Sequence, residues 1–198
     1  MAFSLKLPVI FLFLTVVLAS CTKQDAQQAS AGTETVQSNA SANIPDPYAR
    51  FNNSSTIRNI MNSMIDPNAD ALWESVRYDV TEQGNVEHYP QSDEEWDALF
   101  RSAIVMVEGA NALMIPGRHV ANPGDVTEFP LYELNPEEVD VLIAKDMISW
   151  VGFAQGLQAA TLQVLDSIRN KDVSGLSANG GLIDEACESC HSVYWYRP

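Results

Sequence analysis

The sequence predicts an all-α protein, an antiparallel four-helix bundle whose helices are joined by long loops. Three observations predict this fold class. Apolar residues recur at spacings of three and four over long segments, capping signals precede those segments, and the apolar/polar alternation that is typical of strands is scarce. Because each helix would bury a single apolar stripe, packing the helices against one another accounts for all of them.

The first predicted helix is amphipathic and can be capped by Ser54 or Ser55. Its apolar residues share one face because they are three or four apart. They are Ile57, Ile60, Met61, Met64 and Ile65. Asp66 and Pro67 interrupt the pattern, and proline suits the first position of a helix. We therefore expect a kink, or a second helical segment over residues 69–76.

The next two predicted helices have clear starts. Ser92 with Glu95 three residues later forms a capping box, and apolar residues continue in helical phase until Pro116. A similar start, Asn135 followed by a proline, opens a pattern that continues to residue 169. A single helix of that length would be about 50 Å long.

Two polar segments of the folded part are predicted to be loops. They are residues 78–91 and residues 116–134, and both contain glycine and proline. The last predicted helix follows Gly180 and Gly181 and covers residues 182–195.

The N-terminus has the features of an export signal. One cation, Lys6, precedes an apolar run that is shorter than the roughly 20 residues of a membrane-spanning helix. The run ends in LASC, residues 18–21, which resembles a bacterial lipobox. That resemblance implies cleavage after residue 20 and lipidation of Cys21, which would anchor the protein to a bacterial membrane on the periplasmic side. Residues 21–47 are predicted to be a flexible tether, and residues 48–198 the folded domain.

The charge balance restricts the classes of partner. There are 11 lysines and arginines against 26 acidic residues, a net charge of −15, which loss of Lys6 with the signal would change to −16. Nucleic acids and anionic lipid headgroups bind through clustered cations, so neither is an expected partner. The membrane would be reached through the lipid alone, and a basic partner protein is favoured.

The strongest motif is Cys187-Glu188-Ser189-Cys190-His191, near the end of the chain. This spacing is that of c-type haem attachment, in which two thiols bond the haem vinyl groups and the histidine binds the iron. On a helix, Cys190 and His191 each lie about one turn from Cys187, on the same side. The motif predicts one covalent haem c.

Three other interpretations of the motif lack something that they need. A structural zinc site needs four ligands, yet only His88 and His119 remain as further histidines. A thioredoxin-like redox pair needs a βαβ context. A disulfide is awkward between two cysteines three residues apart on a helix.

The folded part resembles the cytochrome c-prime superfamily over residues 48–198. The haem motif on the last helix carries the resemblance, together with a first helix that bears Arg58, Met61 and Met64. It implies a haem inside the bundle, His191 as the proximal iron ligand, and a first helix that faces the open side of the iron. Members with a methionine there are electron carriers, whereas those with an apolar residue are five-coordinate and bind NO or CO. Homodimers are common in the superfamily.

The resemblance also suggests roles for individual residues. Met61, three residues after Arg58, best matches the position of a distal iron ligand, with Met64 as the alternative. Arg58 could pair with a haem propionate, and Tyr194 could pack on the porphyrin. No acid–base or nucleophilic set accompanies the motif, so we expect an electron carrier and not an enzyme. The gas-binding function is the alternative.

Overall fold

The computed structural model describes residues 51–198, so the predicted signal segment, Cys21 and the tether lie outside the described residues. All described residues belong to one compact unit. Helices make up 63% of them, and a two-stranded sheet is the one sheet present among them. The broad prediction of an all-α protein is therefore confirmed. Within residues 51–198, no helix is both long enough and apolar enough to traverse a bilayer.

The first helical stretch has three parts: α1 (Ile57–Ile60), a π-helical segment (Met61–Ile65) and α2 (Asp66–Trp73). Thr56 caps it instead of Ser54 or Ser55, through a capping box with Asn59. The interruption that the sequence predicted at Asp66 and Pro67 is this π segment. Pro67 has no backbone donor and would crowd the carbonyl four residues earlier, which the wider turn avoids.

Residues 77–88 form a β-hairpin, so the prediction of a loop over residues 78–91 is wrong for most of that segment. Strand β1 (Arg77–Thr81) pairs antiparallel with β2 (Gly84–His88), and Gly84 has φ +119° at the turn. Nearly every hairpin residue is exposed. With no face packed on a core, the strands do not need the apolar alternation by which a sequence predicts a strand.

Helix α3 (Asp93–Leu113) begins at the predicted capping box of Ser92 and Glu95. The single long helix that was expected next is two helices, α4 (Pro136–Lys145) and α5 (Met147–Arg169). Asp146 leaves the helical conformation between them, and its carboxylate accepts from the backbone N–H of Ser149. The cap at Asp146 therefore begins a new helix, although the apolar spacing continues through the break.

Helix α6 (Val173–Tyr194) carries the cysteine motif and begins earlier than predicted, at a cap formed by Asp172. Gly180 and Gly181 lie inside it, where the sequence suggested a start. The indole of Trp73 lies against Gly180 and donates to its carbonyl at 3.0 Å, a close approach that a small residue favours.

The helices pack in a consistent order: α2 on α3, α3 on α5, α5 on α6, and α6 on α2. The most deeply buried side chains occupy the centre of this arrangement. They include Met106, Val164, Leu165, Leu176 and Ile183. The cysteine motif near the C-terminal end of α6 adjoins this core, since Cys187 and Cys190 pack against it.

The connection between α3 and α4 has little regular structure but many anchors. The carbonyls of His119 and Val120 accept from the N–H groups of Ile57 and Arg58, both at 2.9 Å. Asp140 of α4 accepts from the N–H of Val120 at 2.8 Å. The connection therefore supplies acceptors for the otherwise unpaired first turn of α1.

Candidate functional site

The motif lies on the last two turns of α6, with one side of it facing inward. Cys187, Cys190 and His191 are half-buried, whereas Glu188 and Ser189 are exposed. Both cysteines are free thiols, so the disulfide interpretation does not describe this structure. As the spacing predicts, the side chains of Cys187, Cys190 and His191 share one side of the helix.

Two adjoining cavities, of about 260 and 460 Å³, are lined by this side of α6. Six residues line both cavities. They are Met61, Asn62, Trp150, Cys190, His191 and Trp195. Cys187 lines the smaller cavity, and Arg58 and Tyr194 line the larger one. The structure thus brings together the motif and the predicted residues of the first helix around His191.

The imidazole nitrogens of His191 are available to bind a metal ion. Its ring contacts Trp195 edge-on at 4.6 Å and Tyr196 at 6.4 Å, and its nitrogens make no hydrogen bond to any of residues 51–198. Burial lowers its pKa below the ordinary histidine value, more than the nearby Glu188 and Asp66 raise it. A neutral imidazole with a free lone pair is the form that binds a metal.

Both thiols are neutral at physiological pH. Burial, with help from Asp184, raises the pKa of Cys187 to about 11, and burial raises that of Cys190 to about 12. Zinc sites and thioredoxin-like pairs use thiolates, which this environment disfavours. Thioethers carry no charge and are compatible with it.

The histidines considered for a zinc site are engaged elsewhere. His88 lies 2.7 Å from Asp79 in the hairpin, and His119 lies 3.1 Å from Asp140. In residues 51–198, no cluster of three or more His, Cys, Asp or Glu side chains is arranged to hold a metal ion. The donors at the motif are therefore two thiols and one imidazole.

The two candidate methionines lie in different surroundings. Met61 lines both cavities, whereas Met64 packs against α3 beside Gly109. In the π segment a turn contains more residues than in an α-helix, so side chains three apart diverge more in direction. A Cβ at position 109 would lie 2.6 Å from Cδ1 of Ile65, so the glycine allows the π segment to approach α3 closely.

The mouth of the larger cavity is polar and was only partly predicted. Arg58 donates to the carbonyl of Val126 at 3.3 Å. Glu133, which sequence reasoning missed, accepts from the hydroxyl of Thr127 and the backbone N–H of Phe129. These bonds, the one from Thr127 most of all, hold the pKa of Glu133 below the ordinary glutamate value. No periodic pattern marks the 116–134 segment, so no signal in the sequence pointed to Glu133.

Tyr194 is buried and belongs to an aromatic group on the cavity wall. Its ring packs edge-on against Trp150 at 5.1 Å and Phe153 at 5.8 Å. The indole of Trp150 donates to the carbonyl of Leu113 at 2.8 Å, which fixes it between α5 and α3. The wall is thus a rigid apolar surface built from α5 and α6.

Comparison with protein-family models, with curated proteins and with solved structures found no match for this chain. The function is therefore argued from the motif and from the geometry around it.

Proposed function

We propose that this chain is a c-type cytochrome that holds one covalent haem at Cys187, Cys190 and His191 and transfers single electrons. The observation that carries the proposal is the pair of cavities that adjoin at His191 and have both thiols of the motif in their walls. When bound, haem supplies an iron centre that alternates between two oxidation states one electron apart.

The residues present fit that group. Cavities of several hundred cubic ångströms with mainly apolar walls and a few polar groups are typical of cofactor sites. Here the apolar wall comes from Trp150 and Tyr194, and the polar groups of the larger cavity include Arg58 at its mouth. The thiols are half-buried in the cavity walls, and the imidazole is neutral with no hydrogen-bond partner among residues 51–198.

Each residue of the site has a distinct task in this proposal. His191 binds the iron through its free nitrogen, and Trp195 restricts the rotation of its ring. Met61 is the second iron ligand in preference to Met64, since it alone of the two lines the cavities. A thioether ligand raises the reduction potential. Arg58 pairs with a propionate at the cavity mouth.

The finer fold is part of the same proposal. The four-membered order of contacts, α2 to α3 to α5 to α6 and back to α2, supports a four-helix bundle that resembles the cytochrome c-prime superfamily. Lipidation of Cys21 and a periplasmic location are proposed from the sequence alone. We propose a carrier and not an enzyme, since the sequence places no acid–base or nucleophilic set beside the motif.

Spectroscopy of the chain produced in a bacterium with a c-type maturation system tests the proposal. In alkaline pyridine, we expect a covalently attached haem in the wild type and its loss in Cys187→Ala/Cys190→Ala. A wild type without covalent haem would refute the proposal.

Two matched variants test the distal ligand. Met61→Ala should abolish the methionine-to-iron charge-transfer band of the ferric protein and lower the reduction potential, whereas Met64→Ala should retain the band. A high-spin ferric spectrum in the wild type, unchanged by either substitution, would favour the gas-binding alternative with a five-coordinate iron.

A further inference from the structure

We propose that an exposed apolar surface at the mouth of the larger cavity is the docking site for a redox protein with an apolar centre and a lysine- or arginine-rich rim. We call it the loop–tail patch. Its members are Val126, Phe129, Leu131, Tyr132, Trp195 and Tyr196. The inference rests on the proposed function, because it names the partner of the same site.

The patch is built from two chain segments that lie side by side. The N–H of Leu134 donates to the carbonyl of Trp195 at 2.7 Å, and the N–H of Arg197 donates to the carbonyl of Tyr132 at 2.8 Å. Glu133 and Tyr196 form an isolated antiparallel bridge between these bonds. The connection before α4 and the C-terminal tail therefore form one continuous surface.

The apolar side chains of this surface are exposed to a large extent. Leu131 is 83% exposed, Val126 76% and Tyr132 72%, and the other members are between 42% and 54% exposed. Single exposed apolar residues are common, but a group of six on adjoining segments is typical of a protein–protein interaction site.

The patch lies beside His191, the proposed iron ligand. His191 contacts Trp195 at 4.6 Å, and Trp195 stacks on Tyr196 at 6.2 Å, with an angle of 27° between the rings. Electron transfer between proteins slows steeply with the distance between the two centres. A partner seated on Trp195 and Tyr196 would be separated from His191 by one aromatic layer.

The charge around the patch indicates the chemistry of the occupant. Acidic residues surround it, and their negative charge exceeds the positive charge of the nearby cations. They are Glu128, Glu133, Glu137, Glu138 and Glu188. Two cations lie nearby, Arg197, which pairs with Glu138 at 2.8 Å, and Arg58, so the five carboxylates retain an excess of three negative charges. A basic rim on the partner complements this arrangement, whereas an anionic lipid surface or a second copy of this acidic chain would be repelled.

A patch of six side chains is suited to a transient encounter. Complexes between redox proteins bury less than about 1,200 Å² and dissociate readily. Their association depends on long-range charge attraction, while a small apolar centre fixes the final orientation. We therefore expect weak, salt-sensitive binding that depends on a few apolar side chains.

Calorimetric titration of the haem-loaded chain with a soluble, lysine-rich c-type cytochrome tests the proposal. The test variant is Leu131→Ser/Tyr132→Ser, and the matched control is Val80→Ser/Tyr78→Ser, which removes side chains of the same classes and similar exposure from the hairpin. We expect the test variant to raise Kd about tenfold and the control to stay within about twofold of wild type. Raising the salt concentration from about 20 to 300 mM should weaken all three complexes.

Each other result overturns the docking proposal: no binding of the probe by the wild type, equal Kd values for both variants, or a larger loss in the hairpin variant. Haem content and reduction by ascorbate, measured on the same samples, test the proposed function separately. Intact haem and reduction with unchanged Kd in the test variant would refute the patch and leave the cytochrome assignment standing. Lack of haem in the wild type would refute that assignment instead.

Discussion

Two non-helical regions of this protein looked alike in the sequence and differ in the structure. Residues 78–91 and residues 116–134 are both polar, with glycine and proline, and both were predicted to be loops. The first forms a hairpin whose side-chain bonds are local, such as Tyr78 to Glu87 at 2.9 Å and His88 to Asp79 at 2.7 Å. The second is bonded to α1, to α4 and to the C-terminal tail.

The difference shows that composition predicts the absence of helix but not what orders a segment. A two-stranded hairpin can be formed from its own register and turn, and in isolation it is only marginally stable. The 116–134 segment has no internal ladder, and its order depends on partners far away in the sequence. Four tests would weaken or sharpen this contrast, and they are described from the largest expected effect to the smallest.

Removal of residues 195–198 should have the largest effect. It deletes the carbonyl that accepts from Leu134, the N–H that donates to Tyr132 and the ring that packs on His191. We expect a loss of about 2 to 4 kcal/mol in the free energy of unfolding, measured in urea. Hydrogen exchange at Leu134 should accelerate while the hairpin amides keep their rates.

The control for that truncation is removal of Pro198 alone, which leaves these hydrogen bonds in place and should be nearly neutral. Equal acceleration in the hairpin and in the 116–134 segment would contradict the idea that the tail orders only the latter.

Asp140→Ala should have an intermediate effect. The substitution leaves the partly buried N–H of Val120 without its acceptor, and it removes the partner of His119. We expect a loss of about 1 to 2 kcal/mol in urea unfolding. Asp140→Asn retains an amide oxygen that can accept from Val120, so its loss should be smaller. Equal losses in the two variants would show that charge, and not this hydrogen bond, holds the segment.

Acid should loosen the 116–134 segment by a smaller amount. Hydrogen bonds, first from Thr127 to Glu133 and from the N–H of Asn135 to Glu138, hold the pKa of both carboxyls below the ordinary value. A lowered carboxyl pKa contributes stability that is present above the unfolded-state value, about 4.3, and is lost as pH falls through the folded-state value. The tryptophan fluorescence, to which Trp195 beside Glu133 contributes, should change below about pH 4.3, and this change should shrink in Glu133→Gln.

The hairpin provides the comparison at the alkaline end of the same titration. A hydrogen bond to Glu87 and its negative charge raise the pKa of Tyr78 above the ordinary tyrosine value. The associated stability is present below about pH 10 and is lost as pH rises through the folded-state pKa. Tyr196 also has a raised pKa, so the difference in tyrosinate absorbance between wild type and Tyr78→Phe isolates the hairpin. A difference curve centred at or below pH 10 would contradict this.

Prediction from the sequence succeeded where local signals decide the structure. The capping box of Ser92 and Glu95 gave the start of α3, and the fixed spacing of Cys187, Cys190 and His191 placed them on one side of α6. It failed where a distant partner decides. Gly180 was predicted to precede a helix but lies inside one. The sequence could not show this, because the glycine is there for its contact with Trp73, which belongs to another helix.

Two further failures came from local exceptions to an otherwise regular pattern. At Asp146 the apolar period continues on both sides, so the period alone could not locate the break. At the π segment the sequence placed Met61 and Met64 on one face, and the wider turn separated them. Periodicity measures the average twist of a helix and is insensitive to one altered turn.

That altered turn also bears on how much the proposed haem site would have to rearrange when its charge changes. Because Pro67 lacks an N–H, the chain at this point cannot relax to a regular α-helix with a full set of hydrogen bonds. Gly109 lets the segment press against α3, so its position is set by packing and does not wait for a ligand. Under the proposed function, the thioether of Met61 at the start of this segment would be preorganised, and preorganised groups contribute little reorganisation energy to a transfer step.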